Sequence, residues 1–528
     1  MKMKKWNNYH SSLTNEKFDA IIIGSGIGGL TTGALLALNE KRVLILEKHF
    51  KIGGWTHTFR RDNYEWDVGI HYIGDVHKPW SLVRRLFDLI SASKLKWSSM
   101  DTNYDRIIFP DKSYNFNAPR QQFVEDMIAY FPREEKAIHN YMILIDQVAK
   151  NSKPYFVNKG MPNLLNKITY PFMTRKFFHF SDRTTYEVLS ELTDNKELIG
   201  VLTGQWGDHG LPPKKSSFAM HALVVRHYLD GGNYPTGSSR SIAETISTLI
   251  ENYGGKLAVN AGVEEIIIHN GSAVGVRMLN GDEINADTII SGVGIMNTYK
   301  KLIGSKHMDS SITESLLSVQ RTESYVCLHI GLKKSSKDLN LKNSNLWVYP
   351  GYDHDKNVEI FTDNPEKEFP VIYISFPSAK DDAWDQEHPG YATMEAITMS
   401  RMDWYIQWQE KPWKKRGEQY ENEKEKLSKR IMDVVYQNVP DIKSSVDYME
   451  LSTPLTIRDL ANYQQGEMYG LYHTPQRFRQ RWLKPRTEIK NMFLTGQDIT
   501  TAGVTSALFS GLLTASSVLN KNLINMIK

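Results

Sequence analysis

The residues with the clearest chemical potential lie near the start of the chain. Gly24, Gly26, Gly28 and Gly29 fall within GSGIGG and contain the spacing G-x-G-x-x-G. Glycine at the first position permits a tight strand-to-helix turn, at the second lets a pyrophosphate approach the backbone, and at the last lets the helix lie close on the strand. Glu47, eighteen residues beyond Gly29, is placed to accept hydrogen bonds from a ribose 2′-hydroxyl, and an acid there disfavours a 2′-phosphate. These residues predict a dinucleotide site whose phosphates rest on the positive N-terminus of a helix. Taken alone, the glycine spacing also suits any tight turn between a strand and a helix.

The flanking elements decide between those readings. The Ile-rich run FDAIII over 18–23 reads as a buried strand, residues 30–38 as a helix of Ala, Leu and Thr, and residues 42–46 as a second buried strand ending on Glu47. Strand, glycines, helix, strand and acid are in register for one βαβ unit. Its continuation, Lys51-Ile52-Gly53-Gly54 with Lys48 before it and Thr56 after it, resembles the second glycine signature of flavoproteins of the glutathione-reductase and amine-oxidase type. There the chain wraps FAD, and soluble NAD dehydrogenases lack the signature. The resemblance implies an α/β fold with a discontinuous Rossmann-like FAD-binding domain and a substrate domain of mixed β-sheet plus helices.

A chain of 528 residues exceeds one ordinary domain. Its 41% apolar and 23% charged residues are an ordinary globular composition with material for a sizeable core. A net charge of +4 calls for no nucleic-acid partner, and no basic low-complexity tail is present. The single cysteine, Cys327, excludes an intrachain disulfide framework and suits a reducing compartment. It lies in an apolar run over 325–332 and reads as a core thiol. The polar N-terminus lacks the apolar stretch of a secretory signal, and no apolar run reaches the roughly 18 residues needed to span a bilayer. The expectation is a cytoplasmic protein that meets a membrane, if at all, from its surface.

Further along, residues 65–74, EWDVGIHYIG, are apolar with two glycines and are expected to approach the cofactor. A hairpin is expected near 106–116, and a helix after Pro132 with Glu134 and Glu135 in its first turn. Residues 151–180 hold Lys153, Lys159, Lys167, Arg175 and Lys176 with no acid, interleaved with Tyr155, Phe156, Tyr170, Phe172, Phe177, Phe178 and Phe180. Two readings stay open here, the headgroup level of a bilayer or core aromatics with solvated lysines. An amphipathic helix over 216–229 leads into a glycine-rich turn over 231–239 and a helix over 242–253. Short strands follow over 256–281, with turns at Asn270-Gly271 and Asn280-Gly281, and then a buried strand over 287–291. Residues 322–332, 345–350, 359–363 and 371–377 have strand character, enough for the floor of a substrate chamber. Trp384, Trp404, Trp408 and Trp413 precede a charge run over 414–429 that reads as a solvated amphipathic helix, with membrane contact as the alternative.

Near the C-terminus a strand would deliver Gly496 and Asp498 to the cofactor, Asp498 bonding the ribityl hydroxyls, and a small-residue helix would begin near Val504. The N-terminus of that helix would face the flavin pyrimidine edge, where its positive end stabilises the charge of the reduced ring. Cofactor segments at both ends make the FAD domain discontinuous. It is expected over 18–100, 231–304 and 466–528, with the substrate domain over 101–230 and 305–465.

Several longer strings resemble the retinol saturase group, the all-trans-retinol 13,14-reductases, a branch of the phytoene desaturase and carotenoid isomerase superfamily. They are EWDVGIHYIG, SSFAMHALVVRHY over 216–228, GEMYGLY over 466–472, and LKPRT followed by NMFLTGQD. The resemblance covers nearly the whole chain from Phe18 onward. It implies FAD in a two-domain fold and saturation of one carbon-carbon double bond in a lipophilic conjugated polyene. Carried over by position, the cofactor residues are Gly24, Gly26, Gly29, Glu47, Gly53, Gly54, Val263, Gly496 and Asp498, with the Val263 backbone meeting the adenine. Gly237-Ser238 stands where the branch often has a glycine pair, and the animal members' N-terminal membrane-targeting segment has no counterpart. Those departures lead to the expectation of a prokaryotic, soluble or peripheral protein with an altered substrate entrance.

In the mechanism this implies, reduced FAD gives hydride to one end of the double bond and a proton is added at the other. His71 and Tyr72 are the candidates for proton donor or polar anchor, because their segment should pass near the flavin. No metal is expected. The electron donor or acceptor is left open, since one dinucleotide fingerprint leaves room for a protein, a quinone or a transient nicotinamide. A desaturase, a cis-trans isomerase and a flavin-free lipid carrier like the GDP-dissociation inhibitors are the alternatives, and Glu47 with Gly53-Gly54 argues against the carrier.

Overall fold

The computed structural model describes residues 4–527. Two seven-stranded sheets carry the architecture. In the first, Phe18–Ile23 lies at the centre, parallel to Val43–Leu46 on one side and to Glu283–Ser291 on the other. Lys256–Ala258 adds a parallel strand beyond Val43–Leu46, and Met492–Leu494 runs parallel to Glu283–Ser291. Val263–His269 and Ser272–Met278 extend the sheet as an antiparallel meander. A strand covered on both faces has no solvent side to mark with polar residues. VLIL is accordingly buried throughout, and FDAIII in all but one residue. Ile22 and Ile45 face the helices Ile27–Ala37, Arg240–Asn252 and Val504–Leu519. Ile21 and Leu44 face the opposite layer, which includes Tyr299 and Leu316.

The second sheet runs Val446–Ser452, Ser324–Leu332, Ala392–Ser400, Ile372–Ser375, Asn345–Val348, Asn103–Ile108, Ser113–Asn117. Alternation along Ser324–Leu332 sorts its side chains by face. Val326, Leu328 and Ile330 pack with Ile431 and Val435 of helix Glu418–Asn438. Tyr325 on the other face joins Trp347, Tyr373 and Met399 in a core shared with helices Glu135–Gly160 and Phe218–Tyr228. Ile73–Gly74, Gly232–Pro235 and Trp97–Ser99 form a small sheet beside it.

Some elements differ from expectation. Residues 359–363 are not strand but the end of helix His354–Asp363, which starts at Asp353, whose side chain accepts from Lys356 N. Val358 and Phe361, three residues apart, are its buried stripe. The turn over 231–239 contains the strand Gly232–Pro235. Ala392–Ser400 and Val446–Ser452 were not anticipated. An acid at Glu395 breaks the apolar run of the first, and two acids, Asp447 and Glu450, interrupt the second. Of the tryptophans, Trp384 and Trp408 are buried, Trp408 against Tyr420 of the charged helix, so that region is core with one solvated helix face.

Candidate functional site

Helix Ile27–Ala37 begins on Gly26 with no side chain capping it, which leaves its first N–H groups available to an anion. A Cβ at Gly26 would meet nothing within 4 Å. The neighbouring glycines are tightly packed. A Cβ at Gly29 would fall 2.3 Å from Gly24 O, and one at Gly28 would fall 2.9 Å from Gly496 N. The two ends of the chain therefore meet backbone to backbone at Gly28 and Gly496. A Cβ at Gly54 would lie 2.9 Å from Gly26 Cα, so the second glycine turn closes on the first. Gly53 N donates to Ser25 Oγ (3.0 Å), and the Thr56 hydroxyl donates to Gly53 O (2.8 Å).

Glu47 organises this corner. Its Oε2 accepts from Ser25 N (2.9 Å) and Ser25 Oγ (2.6 Å), and its Oε1 accepts from His49 N (2.8 Å). The chain leading to Val263 runs alongside, with Ala261 N donating to Glu47 O (2.8 Å). Lys48 reaches Asn462 Oδ1 at 3.4 Å.

Asp498 ties three segments together. Its Oδ2 accepts from Ile295 N (2.8 Å) and its Oδ1 from Leu471 N (3.2 Å), while burial pushes its pKa up. Helix Val504–Leu519 starts on Gly503, again without a side-chain cap and with open space where a Cβ would stand. Buried Arg477 donates through Nη2 to Gln497 O and Asp498 O, both at 3.0 Å, and burial lowers its pKa to about 10. Its Nε and Nη1, Trp55 Nε1 and Thr31 Oγ1 have no partner among the described residues. Buried donors without acceptors are costly. Beside two uncapped helix starts, they fit a large anionic dinucleotide.

Next to this corner lies a buried polar layer that sequence reasoning largely missed. His71 Nδ1 is 3.1 Å from Glu395 Oε2, and His329 Nδ1 is 3.4 Å from Glu395 Oε1. Burial would raise the Glu395 pKa, but the imidazoles of His329 and His71 beside it prevail and hold it down to about 2. Burial and the nearby Glu395 push Asp67 up to about 7, while Tyr234 OH and Ser239 N donate to it. Buried Lys380 donates to His71 O (3.0 Å) and Ser375 Oγ (2.7 Å), and desolvation brings it down to about 7 against the pull of Asp105 and Glu395. Tyr72 OH lies 3.0 Å from Asp105 Oδ2 and 3.1 Å from Asp208 Oδ2. A hydroxyl has one proton to give, so one of these acids carries its own. Burial and the neighbouring Asp105 raise the Asp208 pKa well above the usual carboxylate range. Tyr72 also stacks on Tyr228 at 4.0 Å. It is an anchor.

The sequence singles out His71 and Tyr72 because their segment is expected to pass near the flavin. His329 and Glu395 are cross-strand partners in the second sheet. Their signal was a lone ionisable residue in each of two apolar runs, CLHIG and TMEAI. The thiol of Cys327 is pushed well up by burial and lies 3.7 Å from His329 Nδ1. Cys327, His329 and Glu395 present ligand atoms within 4.8 Å of one another. Glu395 is already shared between two imidazoles, so the trio reads as an acid–imidazole relay rather than an ion cage.

Residues 22–88 match the NAD(P)-binding Rossmann-like domain family. The chain is 34% identical over 535 residues to the all-trans-retinol 13,14-reductase of Danio rerio, covering 97% of this chain and 88% of that protein. It is 25% identical over 526 residues to prolycopene isomerase 2, chloroplastic, of an Oncidium hybrid cultivar, covering 95% and 84%. The crystallised cyclohexylamine oxidase from Brevibacterium oxydans shares the fold, with a TM-score of 0.59 and 15% identity over 96% of this chain and 100% of that one.

Proposed function

The chain belongs to the all-trans-retinol 13,14-reductase family, and from that premise we propose that it is an FAD-dependent oxidoreductase saturating one carbon-carbon double bond of a conjugated polyene, a retinoid or carotenoid-like lipid. One observation carries the reading. The first glycine turn and the C-terminal Gly496–Asp498 segment meet backbone to backbone, beside a layer in which an imidazole faces a buried carboxylate.

In this reading the uncapped start of helix Ile27–Ala37 would receive the pyrophosphate, Glu47 the adenosine ribose, the Val263 backbone the adenine, and Asp498 the ribityl chain. Gly53, Gly54 and Thr56 would help to hold the cofactor, and the uncapped start of helix Val504–Leu519 would offer its positive end to the reduced ring. When bound and reduced, FAD supplies the hydride. The chain supplies the proton, and His71 is the group for it. Glu395 Oε2 lies 3.1 Å from His71 Nδ1 and orients the ring, so that Nε2 would be the nitrogen turned to the substrate. Tyr72 and Lys380 fix the loop that carries His71, the first through Asp105 and Asp208 and the second through His71 O. Tyr325, Trp347 and Tyr373 form an apolar wall against water.

Single-turnover reoxidation of reduced flavin by polyene tests the proton donor. His71→Ala should slow it by roughly 10²- to 10⁴-fold, and an undiminished rate removes His71 from the reaction. Product mass tests the reaction itself. Saturation adds two hydrogens, and loss of two would mean a desaturase. An unchanged mass would mean an isomerase, the reading favoured by the likeness to prolycopene isomerase.

A further inference from the structure

Helix Asn163–Ser181 carries an apolar stripe that faces solvent. Leu164 is 73% exposed, Ile168 59% and Phe172 83%, at four-residue spacing on one side, and Leu165 adds to it at 46%. The opposite side is seated in the protein through Asn166, Thr174, Phe177 and Phe178. Asn166 Nδ2 donates to Asn158 O (2.7 Å) and Asn158 Nδ2 returns a bond to Asn166 O (3.2 Å), locking the helix to the one before it. The exposure therefore belongs to a docked helix. Leaving four large apolar side chains of one helix in water costs free energy unless something covers them.

The charges around the stripe say what covers it. No acid occurs anywhere over residues 147–181, while Lys153, Lys167, Arg175 and Lys176 are exposed. Beside the helix, a pocket of about 330 Å³ brings Lys167 together with Arg481 and Lys484, and Asn166, Trp482 and Glu488 complete its lining. A second copy of the chain would set these cations against themselves across a two-fold axis, and protein interfaces are depleted in lysine. A surface with an apolar interior and anionic headgroups satisfies both features at once, with rings and aliphatic chains sunk at the boundary and cations in the headgroup layer.

We propose that helix Asn163–Ser181 docks the protein on an anionic lipid bilayer through Leu164, Leu165, Ile168 and Phe172, flanked by Lys167, Arg175 and Lys176. No helix among the described residues is long and apolar enough to cross a membrane, so this contact lies in the interface plane. On the seated side, Phe177 stacks on Tyr155 at 4.3 Å and meets Phe478 edge-on at 5.5 Å, next to Arg477 and Asp498 O. A lipophilic substrate leaving the bilayer here enters beside the C-terminal cofactor segment. That route rests on the reductase reading, whereas the docking does not.

Sedimentation of the full chain with phosphatidylcholine vesicles, with and without phosphatidylglycerol, tests the docking. Wild type should bind the anionic vesicles far more tightly, since each cation reaching an anionic surface strengthens binding by roughly fivefold. Ile168→Glu with Phe172→Glu should lower vesicle binding at least tenfold while leaving thermal unfolding, flavin content and turnover of detergent-dispersed substrate unchanged. Lys167→Gln with Arg175→Gln and Lys176→Gln should remove the preference for anionic lipid. Failure of wild type to sediment, equal sedimentation of the glutamate variant, or a dimer that the glutamate variant abolishes would each overturn the proposal. Vesicle binding by a protein without flavin or turnover would refute the reductase reading and leave the docking standing.

Discussion

Replacing Gly26 and Gly29 by alanine, one at a time, separates what the first glycine turn does for the fold from what it does for the cofactor. Gly26 has φ −59° and ψ 166°, a conformation open to alanine, and the added methyl would meet nothing within 4 Å. Two small terms oppose each other. Alanine reduces the unfolded chain's freedom, worth about 0.4–1 kcal/mol, but is a poorer helix N-cap than glycine, by up to about 1 kcal/mol. The net change stays within about 1 kcal/mol, so the Tm of the apoprotein should move by no more than about 2 °C. At Gly29 the methyl would lie 2.3 Å from Gly24 O and 3.3 Å from Ile22 Cγ2. The carbonyl belongs to the turn itself and cannot rotate aside, so helix and strand must part, at about 1–3 kcal/mol or more. Cofactor affinity follows a different order. The open space at Gly26 is where a pyrophosphate would approach, and losing one charge-assisted hydrogen bond there costs about 1.5–3 kcal/mol, roughly 10- to 150-fold in Kd. Thermal unfolding of the apoprotein together with flavin titration reads both quantities. Gly26→Ala should unfold like wild type yet bind FAD at least tenfold more weakly. Wild-type affinity in that variant would mean that nothing approaches Gly26, and the cofactor placement would fail.

Asp498→Ala should behave oppositely, destabilising the apoprotein by about 2–5 kcal/mol because the Ile295 and Leu471 amides lose their buried acceptor; chemical denaturation measures this. Lys159 is buried with its Nζ on Leu483 O, and desolvation brings its pKa down to about 7 from 10.5. Between those values the unfolded chain binds the extra proton, so this residue makes stability rise with pH from about 7 toward 10.5. Lys159→Met should therefore be the more stable protein at pH 6, by up to about 5 kcal/mol, with the advantage shrinking by pH 10 in paired denaturation curves. Glu395 has its folded pKa depressed from 4.5 to about 2, so its contribution is complete above pH 4.5 and lost as pH falls toward 2. Glu395→Gln should lack that acid limb and slow the His71-dependent proton step without releasing FAD, as pH-dependent denaturation and single-turnover kinetics would register.

The nucleotide-binding half was legible because its signals are short-range. The strand FDAIII, the glycines and Glu47 lie within one supersecondary unit, and each residue type answers a local steric or electrostatic demand. The second sheet was read in part. Its apolar strands announced themselves, but Ala392–Ser400 was hidden by the acid at its centre, and Val446–Ser452 by Asp447 and Glu450, whose spacing breaks a two-residue period. The run over 359–363 went to helix because an Asp353 cap and a three-residue spacing of buried side chains outweigh the β character of V-E-I-F. The aromatics of residues 151–180 differ in burial. Tyr155, Phe177, Phe178 and Phe180 are core, and Phe172 stands in solvent.

By itself the sequence determined the βαβ unit, its glycine turns and the acid that ends the second strand, since backbone sterics and burial periodicity act over a few residues. Only the tertiary structure decided that Gly28 meets Gly496, that Glu395 is shared by His71 and His329, and that the stripe of helix Asn163–Ser181 faces outward. The physical reason is the same in each case. A close approach, a shared carboxylate or an uncovered face is a relation between segments far apart along the chain, and it exists only once loop closure and core packing have brought those segments together.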